Sequence, residues 1–223
     1  MEIDKLNNLS SEEYIEEYFN EMDMTTEQKD ERKKAATDFN DFVLLMFTII
    51  YAQNEYGYVD YESVKEQFAT GYLDRIAQFI AVDTALNEYA LNFADETIGT
   101  TESHLASELS KVIGIENTLA VLSDSYYLSE ARAVDMACNM ALDVVNYKDF
   151  VNAVARGFKH KVWMSIHDKR TRKTHDIADG QVVPIGEYFH VGNSLLMFPH
   201  DSISGTAEMK ELANCRCSFK YIR

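Results

Sequence analysis

Residues 161–185 read KVWMSIHDKRTRKTHDIADGQVVPI, and this stretch marks the change from a helical chain to a mixed one. The segment KVWMSI (161–166) has the alternation of a strand. TRKTHDIAD has the length of one or two helical turns, and DGQVVPI is typical of a turn that enters a strand. We predict two more short strands, SLLMF at 194–198 and CRCSFKYI at 215–222.

The chain before this stretch is predicted to be helical almost throughout. No proline precedes Pro184, so no helix there is interrupted by a proline ring. Ser10 and Glu13 form a capping box before a first helix, and a long second helix is predicted to end at Gly57. Further helices are expected at 60–79, 82–97, 101–122, 129–146 and 148–158.

These elements predict an α+β fold with two parts. A mainly helical, acidic region, a bundle or an arm, is expected at 1–158. A small C-terminal α+β module with a short antiparallel sheet is expected at 159–223.

Charge is distributed unevenly along the 223 residues. The net charge is −16, but residues 1–150 carry −20 and residues 151–223 carry +4. An acidic surface repels the phosphate backbone, so we expect no sequence-specific contact with nucleic acid. The asymmetry suits a protein whose two parts face different neighbours.

The number of cysteines and the hydropathy of the chain indicate in which cellular environment the protein is expected. The odd count of three cysteines argues against a disulfide framework and for a reducing environment. The most apolar run, FVLLMFTIIYA at 42–52, is shorter than the roughly 20 residues that span a bilayer. We therefore predict a buried helix there and no membrane contact.

The C-terminal part concentrates ionisable and thiol side chains, and one interpretation is an enzyme. His175 would act as a base oriented by Asp168 or Asp179, with Cys215 or Cys217 as the nucleophile. Against this interpretation, the sequence contains no nucleophile elbow, glycine-rich phosphate loop or metalloprotease helix motif.

A second interpretation is a zinc site with four ligands, His175, His200, Cys215 and Cys217. Structural zinc sites usually draw on C-x2–4-C or H-x3–5-H pairs, and the C-x-C spacing is tighter. We therefore predict no metal and no other cofactor. The two cysteines are expected to be small buried residues and not reactive thiols.

The third interpretation, which we favour, is a polar lock. An arginine guanidinium matches a carboxylate in a bidentate pair. Carboxylates near the turn would pair with arginines and fasten the turn segment to the last strand, with no catalytic residue among them. The paired set is Asp168 and Asp179 with Arg170, Arg172 and Arg216.

Other positions in this part have structural explanations. Gly180, after Asp179, suits a turn that needs a positive φ. Trp163 and Phe189 are expected to be core aromatic residues. Pro184 and Pro199 are expected at strand edges, where a missing N–H does little harm.

The motifs also resemble a known family. Residues 163–189 contain W-x4-D-x-R-T-R-x2-H-x3-D-G-Q-x-V-P-x2-E-x-F, which ends at Glu187 and Phe189. The motif L-x-F-P-x-D then ends at Asp201, and N-C-R-C begins at Asn214 and contains Arg216. Over residues 161–221 these motifs resemble the C-terminal domain of the phage Mu protein F-like minor head proteins, also called phage head morphogenesis proteins.

The resemblance implies a non-enzymatic minor capsid protein of a tailed phage or prophage. Such a protein associates with the portal protein, or with the major capsid or scaffold protein, during procapsid assembly, and affects DNA packaging or ejection. It would lie in the head interior or at the portal vertex of the virion, and in the host cytoplasm during assembly. The alternative is a hydrolase or toxin-like enzyme domain that uses His175 and Cys215.

The resemblance also bears on zinc. Some relatives have cysteines where Arg172 and His175 stand in this chain, and a histidine shortly before the final C-R-C, which looks like a four-ligand zinc site. In this chain Arg172 cannot ligate, and His200 lies 15 residues before Cys215. The departure implies a version of the site that is built from charges and hydrogen bonds.

Overall fold

The structure is a computed structural model that describes residues 9–204 and 206–223. These residues are 61% helical and form an α+β fold, as predicted. The α-helices within the described residues are α1 (Ser11–Asn20), α2 (Thr26–Glu55), α3 (Tyr61–Ile76), α4 (Thr84–Leu109), α5 (Ile115–Asp124), α6 (Glu130–Ala155), α7 (Lys173–Ala178) and α8 (Met209–Leu212). The strands are β1 (His160–Met164), β2 (Val182–Pro184), β3 (Phe189–Val191), β4 (Ser194–Leu196) and β5 (Ser218–Ile222), and a short 3-10 helix covers Tyr126–Leu128.

Side-chain caps explain two of the helix starts. The carboxylate of Asp60 accepts a hydrogen bond from the Ser63 N–H at the start of α3, and Asp83 does the same for Leu86 at the start of α4. Two predicted helix breaks were wrong. Helix α4 continues through Gly99, and α6 continues through Tyr147, because an isolated glycine or aromatic residue does not end a helix that is otherwise well packed.

The described chain divides into two compact units. Among the described residues, unit 1 contains 12–36 and 138–223, and unit 2 contains 9–11 and 37–137. The boundaries between the units fall within α1, α2 and α6. The boundary predicted after residue 158 lies inside unit 1.

Aromatic rings form the core of unit 2. The ring of Phe68 lies 5.0 Å from that of Phe42, and the ring of Tyr72 lies 5.4 Å from those of Phe39 and Phe93. These contacts join α2, α3 and α4. Among the described helices, only α2 has the length and apolar composition of a membrane span, and half of its apolar window is buried, as in core helices of many proteins.

Unit 1 contains the predicted antiparallel sheet. Strand β1 lies between β2 and β5, with Lys161 opposite Val183 and Trp163 opposite Phe219. Strands β3 and β4 pair with each other. Strand β5 begins three residues later than predicted, and neither β3 nor α8 was predicted, because both are too short to show a period.

The C-terminal core is small, and its two predicted aromatic members, Trp163 and Phe189, are fully buried. Gly180 has a φ of +70°, as predicted, and its N–H donates to the carbonyl of Trp163. Pro184 lies in the edge strand β2, as expected. Pro199 lies outside the strands, in the turn after β4, so the edge assignment for this proline was wrong.

The close contact between α2 and α3 generates a prediction about two glycines. A Cβ atom at Gly71 would lie 2.5 Å from Phe42 Cε2, and this ring is held by Phe68 and by the Arg75 guanidinium 4.4 Å above it. A Cβ atom at Gly99 would meet no atom within 4 Å. We expect Gly99→Ala to raise the free energy of unfolding by about 0.5–1 kcal/mol, since alanine favours helix. Gly71→Ala should lower it by about 1–2 kcal/mol, because overpacking exceeds that gain.

Urea unfolding of the two variants beside the wild-type chain measures both effects. Equal stabilisation by the two substitutions would show that Phe42 moves freely and would contradict close packing of its ring against Gly71.

Candidate functional site

Three buried ligand-type side chains meet in the C-terminal core. His175 lies on the six-residue helix α7, and Cys215 and Cys217 lie just before β5. His175 Nδ1 is 3.3 Å from Cys217 Sγ and 3.6 Å from Cys215 Sγ. The ligand atoms of the three residues all lie within 4.8 Å of one another, and the residues are 2%, 1% and 4% exposed. We call these three residues the thiol–imidazole cluster.

The other nitrogen of the imidazole faces a carboxylate that the sequence did not indicate. His175 Nε2 lies 3.1 Å from Glu211 Oε2, and the Thr174 hydroxyl donates to the same oxygen at 2.8 Å. Glu211 is buried on α8. The four residues of this helix carry no periodic signal, and no motif spacing connects Glu211 with His175, so sequence reasoning missed it.

Helix α7 is held in position by contacts with β1 and with Ser165, the residue that follows β1. The Ser165 hydroxyl donates to the carbonyl of His175 at 2.7 Å and lies 3.6 Å from Cys217 Sγ. The indole ring of Trp163 meets the imidazole edge-on, with 5.7 Å between ring centroids. The orientation of the imidazole is therefore set by packing as well as by hydrogen bonds.

The two thiols differ in acidity. The contacts with Cys215 and then with His175 lower the pKa of Cys217, against the effect of burial. The contact with Cys217, together with burial, raises the pKa of Cys215 well above its ordinary value. In the absence of a metal, one thiolate is therefore favoured, on Cys217.

A small pocket borders the cluster. Its lining residues are Ile166, Arg170, Thr171, Arg172, His175, Asn214, Arg216 and Cys217. The free space is about 20 Å³, which accommodates about one water molecule. A substrate larger than a water or an ion would need the surrounding side chains to move. The predicted pair His175 and Cys215 is thus brought together, but in the interior and not in an open cleft.

The structure also brings together part of the predicted polar lock. Arg216 donates to both oxygens of Asp168, at 2.8 Å and 2.7 Å, and the Thr171 hydroxyl and the Arg170 N–H bind the same carboxylate. The hydrogen bonds from Arg216 lower the pKa of Asp168. Glu21, which directly follows α1, adds ion pairs with Arg216, at 3.3 Å, and with Arg170.

The other proposed lock residues have different partners. Asp179 accepts from the Ser165 N–H at 2.7 Å and lies 3.1 Å from His167 Nε2, so no arginine pairs with it in the described chain. Arg172 donates to the carbonyl of Ala213 and not to a carboxylate. These expected pairs were wrong, because Asp179 binds a backbone N–H and a histidine, and Arg172 binds a backbone carbonyl.

The two remaining motif positions, Glu187 and Asn214, have no partner role in the cluster or in the lock that we describe. Glu187 is exposed, and Asn214 has a φ of +54° in the turn before Cys215. Asparagine tolerates this left-handed conformation better than most residues. The left-handed conformation of Asn214 lets the chain turn before the two cysteines. This structural role accounts for the asparagine without a metal or a catalytic function.

The turn after β4 is held by buried polar groups. The Asp201 carboxylate accepts from the backbone N–H groups of Met197 and Ser204, and burial raises its pKa. His200 lies 2.8 Å from Asp143 Oδ1 through Nδ1 and 2.8 Å from Asn139 Oδ1 through Nε2. Both nitrogens of His200 are engaged with α6, so the zinc interpretation that grouped His200 with Cys215 and Cys217 does not hold for this histidine.

A buried lysine completes the polar interior. Lys161 Nζ donates to the carbonyl of Met197 at 2.7 Å and lies 5.1 Å and 5.2 Å from the ring centroids of Phe150 and Phe189. Burial lowers the pKa of Lys161 to about 8. Because the ammonium group of Lys161 is held by a carbonyl and two aromatic rings and does not line the small pocket, we assign it a structural role.

Comparisons of the chain with family models, with curated proteins and with solved structures find no match in any of the three. The family resemblance of residues 161–221 therefore stays a prediction that depends on the sequence motifs. The geometry of the described residues is the remaining source of functional information.

The Asp168–Arg216 pair generates a pH-dependent prediction. Asp168→Asn keeps the shape of the side chain and removes its charge. Because the side chain is 32% exposed, solvent screens the pair, and we expect a loss of about 1 kcal/mol in the free energy of unfolding at pH 7. The lowered pKa means that the stabilisation is present above about pH 4, near the unfolded value, and is lost as the pH falls further.

Urea unfolding at pH 7, 5 and 3 measures this difference between the variant and the wild-type chain. Glu66→Gln, at an exposed position on α3, serves as the charge control. A difference that does not shrink at pH 3 would show that the charge of Asp168 contributes nothing to stability.

Proposed function

We propose that this chain is a non-enzymatic minor capsid protein of a tailed phage or prophage that associates with the portal protein during procapsid assembly. The supporting observation is that the motif residues are engaged in building the C-terminal part of unit 1. Asp168 pairs with Arg216, Asp201 closes a turn, and Trp163 is buried in the core. Residues used in this way need no substrate to account for them.

The helical residues offer the surface for a partner. Residues 1–150 carry a net charge of −20, and two connections between helices expose large apolar side chains. Tyr56 is 88% exposed, Tyr58 73% and Ile113 92%. Aromatic and apolar side chains are common at the centres of protein interfaces, with charged residues at the rim. We therefore place the portal contact, or a contact with the major capsid or scaffold protein, on the helical part.

Co-expression with the portal protein encoded in the same genome tests the proposal. We expect the two proteins to co-purify at moderate salt and the complex to weaken as salt rises, since charged groups contribute to it. Tyr56→Ser combined with Tyr58→Ser should reduce the portal recovered by at least about tenfold, the loss expected for about 1.4 kcal/mol of interface energy.

Ile177→Ser is the matched control, because Ile177 is 73% exposed but lies on α7 in the C-terminal part. It should leave recovery of the portal protein unchanged. An unrelated acidic protein of similar net charge tests charge alone. If the chain and the portal protein never co-purify at any salt concentration, the proposed association is wrong.

One observation favours the alternative, a hydrolase or toxin-like enzyme. Cys217, His175 and Glu211 lie in a line of contacts, 3.3 Å and 3.1 Å apart, as in a thiol–imidazole–carboxylate triad. A catalytic thiolate must be accessible to its substrate. An enzyme of this kind therefore requires Cys217 to react from the folded state.

Iodoacetamide labelling of the folded, chelator-treated chain at pH 6 distinguishes the two functions. We expect Cys215 and Cys217 to react no faster than Cys138, a buried cysteine on α6. Peptide mass analysis locates the label. Labelling of Cys217 at least about tenfold faster than Cys138 would contradict the non-enzymatic proposal and support the alternative.

A further inference from the structure

The thiol–imidazole cluster has the spacing of a tetrahedral metal site. Zinc binds thiolate sulfur at about 2.3 Å and imidazole nitrogen at about 2.0–2.1 Å, and tetrahedral angles then place sulfur and nitrogen about 3.5 Å apart. His175 Nδ1 lies 3.3 Å and 3.6 Å from the sulfurs of Cys217 and Cys215. A single ring nitrogen that faces two sulfurs at these distances is explained better by a shared ion than by one hydrogen bond.

The carboxylate of Glu211 gives the imidazole the correct tautomer for this role. An ionised carboxylate only accepts hydrogen bonds, so the proton of a neutral imidazole belongs on Nε2, 3.1 Å from Glu211 Oε2. The lone pair of Nδ1 then points at the two sulfurs. Metal-binding histidines usually have such a carboxylate behind them, and it orients the ring. The Thr174 hydroxyl, at 2.8 Å, holds the carboxylate in turn.

Burial and ligand type indicate which metal. Two sulfurs and one nitrogen form a soft ligand set, which favours Zn²⁺ over Ca²⁺ or Mg²⁺. One divalent cation balances the charge of two thiolates, so the bound ion removes the cost of burying both thiolates in the core around Trp163. The small pocket that borders His175 and Cys217 has room for about one water molecule, which would complete four-fold coordination.

We propose that His175 Nδ1, Cys215 Sγ and Cys217 Sγ bind one Zn²⁺ per chain, with Glu211 as a positioning residue and a water molecule as the fourth ligand. This site differs from the four-residue set considered from the sequence, because Glu211 is added behind the imidazole and His200 is absent. It is independent of the proposed function, since a metal centre of this kind serves an assembly protein or an enzyme.

Metal binding to the full chain tests the proposal. Chelator-treated protein is titrated with Zn²⁺, followed by elemental analysis, and separately with Co²⁺, whose absorption spectrum reports thiolate ligands. We expect one Zn²⁺ per chain, a thiolate-to-cobalt charge-transfer band, and a higher thermal unfolding midpoint with Zn²⁺ than without it, because the ion binds the folded state.

Cysteine variants provide the matched comparison. Cys217→Ala and Cys215→Ala should each lose the charge-transfer intensity of one thiolate and bind Zn²⁺ at least about 100-fold more weakly. Cys138→Ala should bind one Zn²⁺ as the wild-type chain does, although Cys138 is also buried. Glu211→Gln should keep both thiolate ligands and their spectrum and weaken Zn²⁺ binding by about 10–100-fold.

Three results would overturn the metal site, and a fourth would overturn the role of Glu211. Wild-type protein that is folded by circular dichroism and binds neither ion at micromolar concentrations has no such site. Unchanged binding in folded Cys215→Ala and Cys217→Ala variants would place the ion elsewhere. If those variants do not fold, a wild-type cobalt spectrum without a thiolate band decides against the site. Equal Zn²⁺ affinity of wild type and Glu211→Gln would remove the positioning role.

Discussion

The contacts of one imidazole ring hold together the C-terminal part of unit 1. Helix α7 has only six residues, and a helix so short is not stable in isolation. Its position therefore comes from tertiary contacts, and His175 provides several of them. The ring meets the indole of Trp163, the sulfurs of Cys215 and Cys217, and the carboxylate of Glu211. Strand β1, helices α7 and α8, and the segment before β5 thus converge on a single side chain.

Polar contacts supplement an apolar core that is too small to fix the fold by itself. The cluster of buried apolar residues around Trp163 has eight members, two of them cysteines. Around it, Lys161 donates to the carbonyl of Met197, and Arg216 binds Asp168 in a bidentate pair. A buried polar group that loses its partner costs more than the hydrogen bond itself contributes. These contacts therefore favour one arrangement of the short elements, because any arrangement that breaks them has a higher free energy.

Sequence patterns predicted the helices and strands better than the contacts between them. The long helices and the β1–β5 sheet follow from composition and alternation, which are local signals. The inward face of β1 does not, because Lys161 and Trp163 face the interior while Val162 and Met164 are less buried. The contact of Glu21 with Arg216 spans 195 positions and that of Arg32 with Asn146 spans 114, and such contacts leave no local pattern. For the same reason no sequence pattern indicated Glu211 in the cluster or residues 12–36 in unit 1.

The accessibility of the two cysteines decides between catalysis and metal binding by the same side chains. A thiolate beside an imidazole is a nucleophile only where a substrate reaches it, whereas a metal ion needs only a set of ligands and a path for entry. Cys217 is 4% exposed, and the space beside it accommodates about one water molecule. Burial also makes an isolated thiolate costly, and a bound cation removes that cost. The same burial that hinders attack by a free thiolate therefore suits the buried metal centre that we propose.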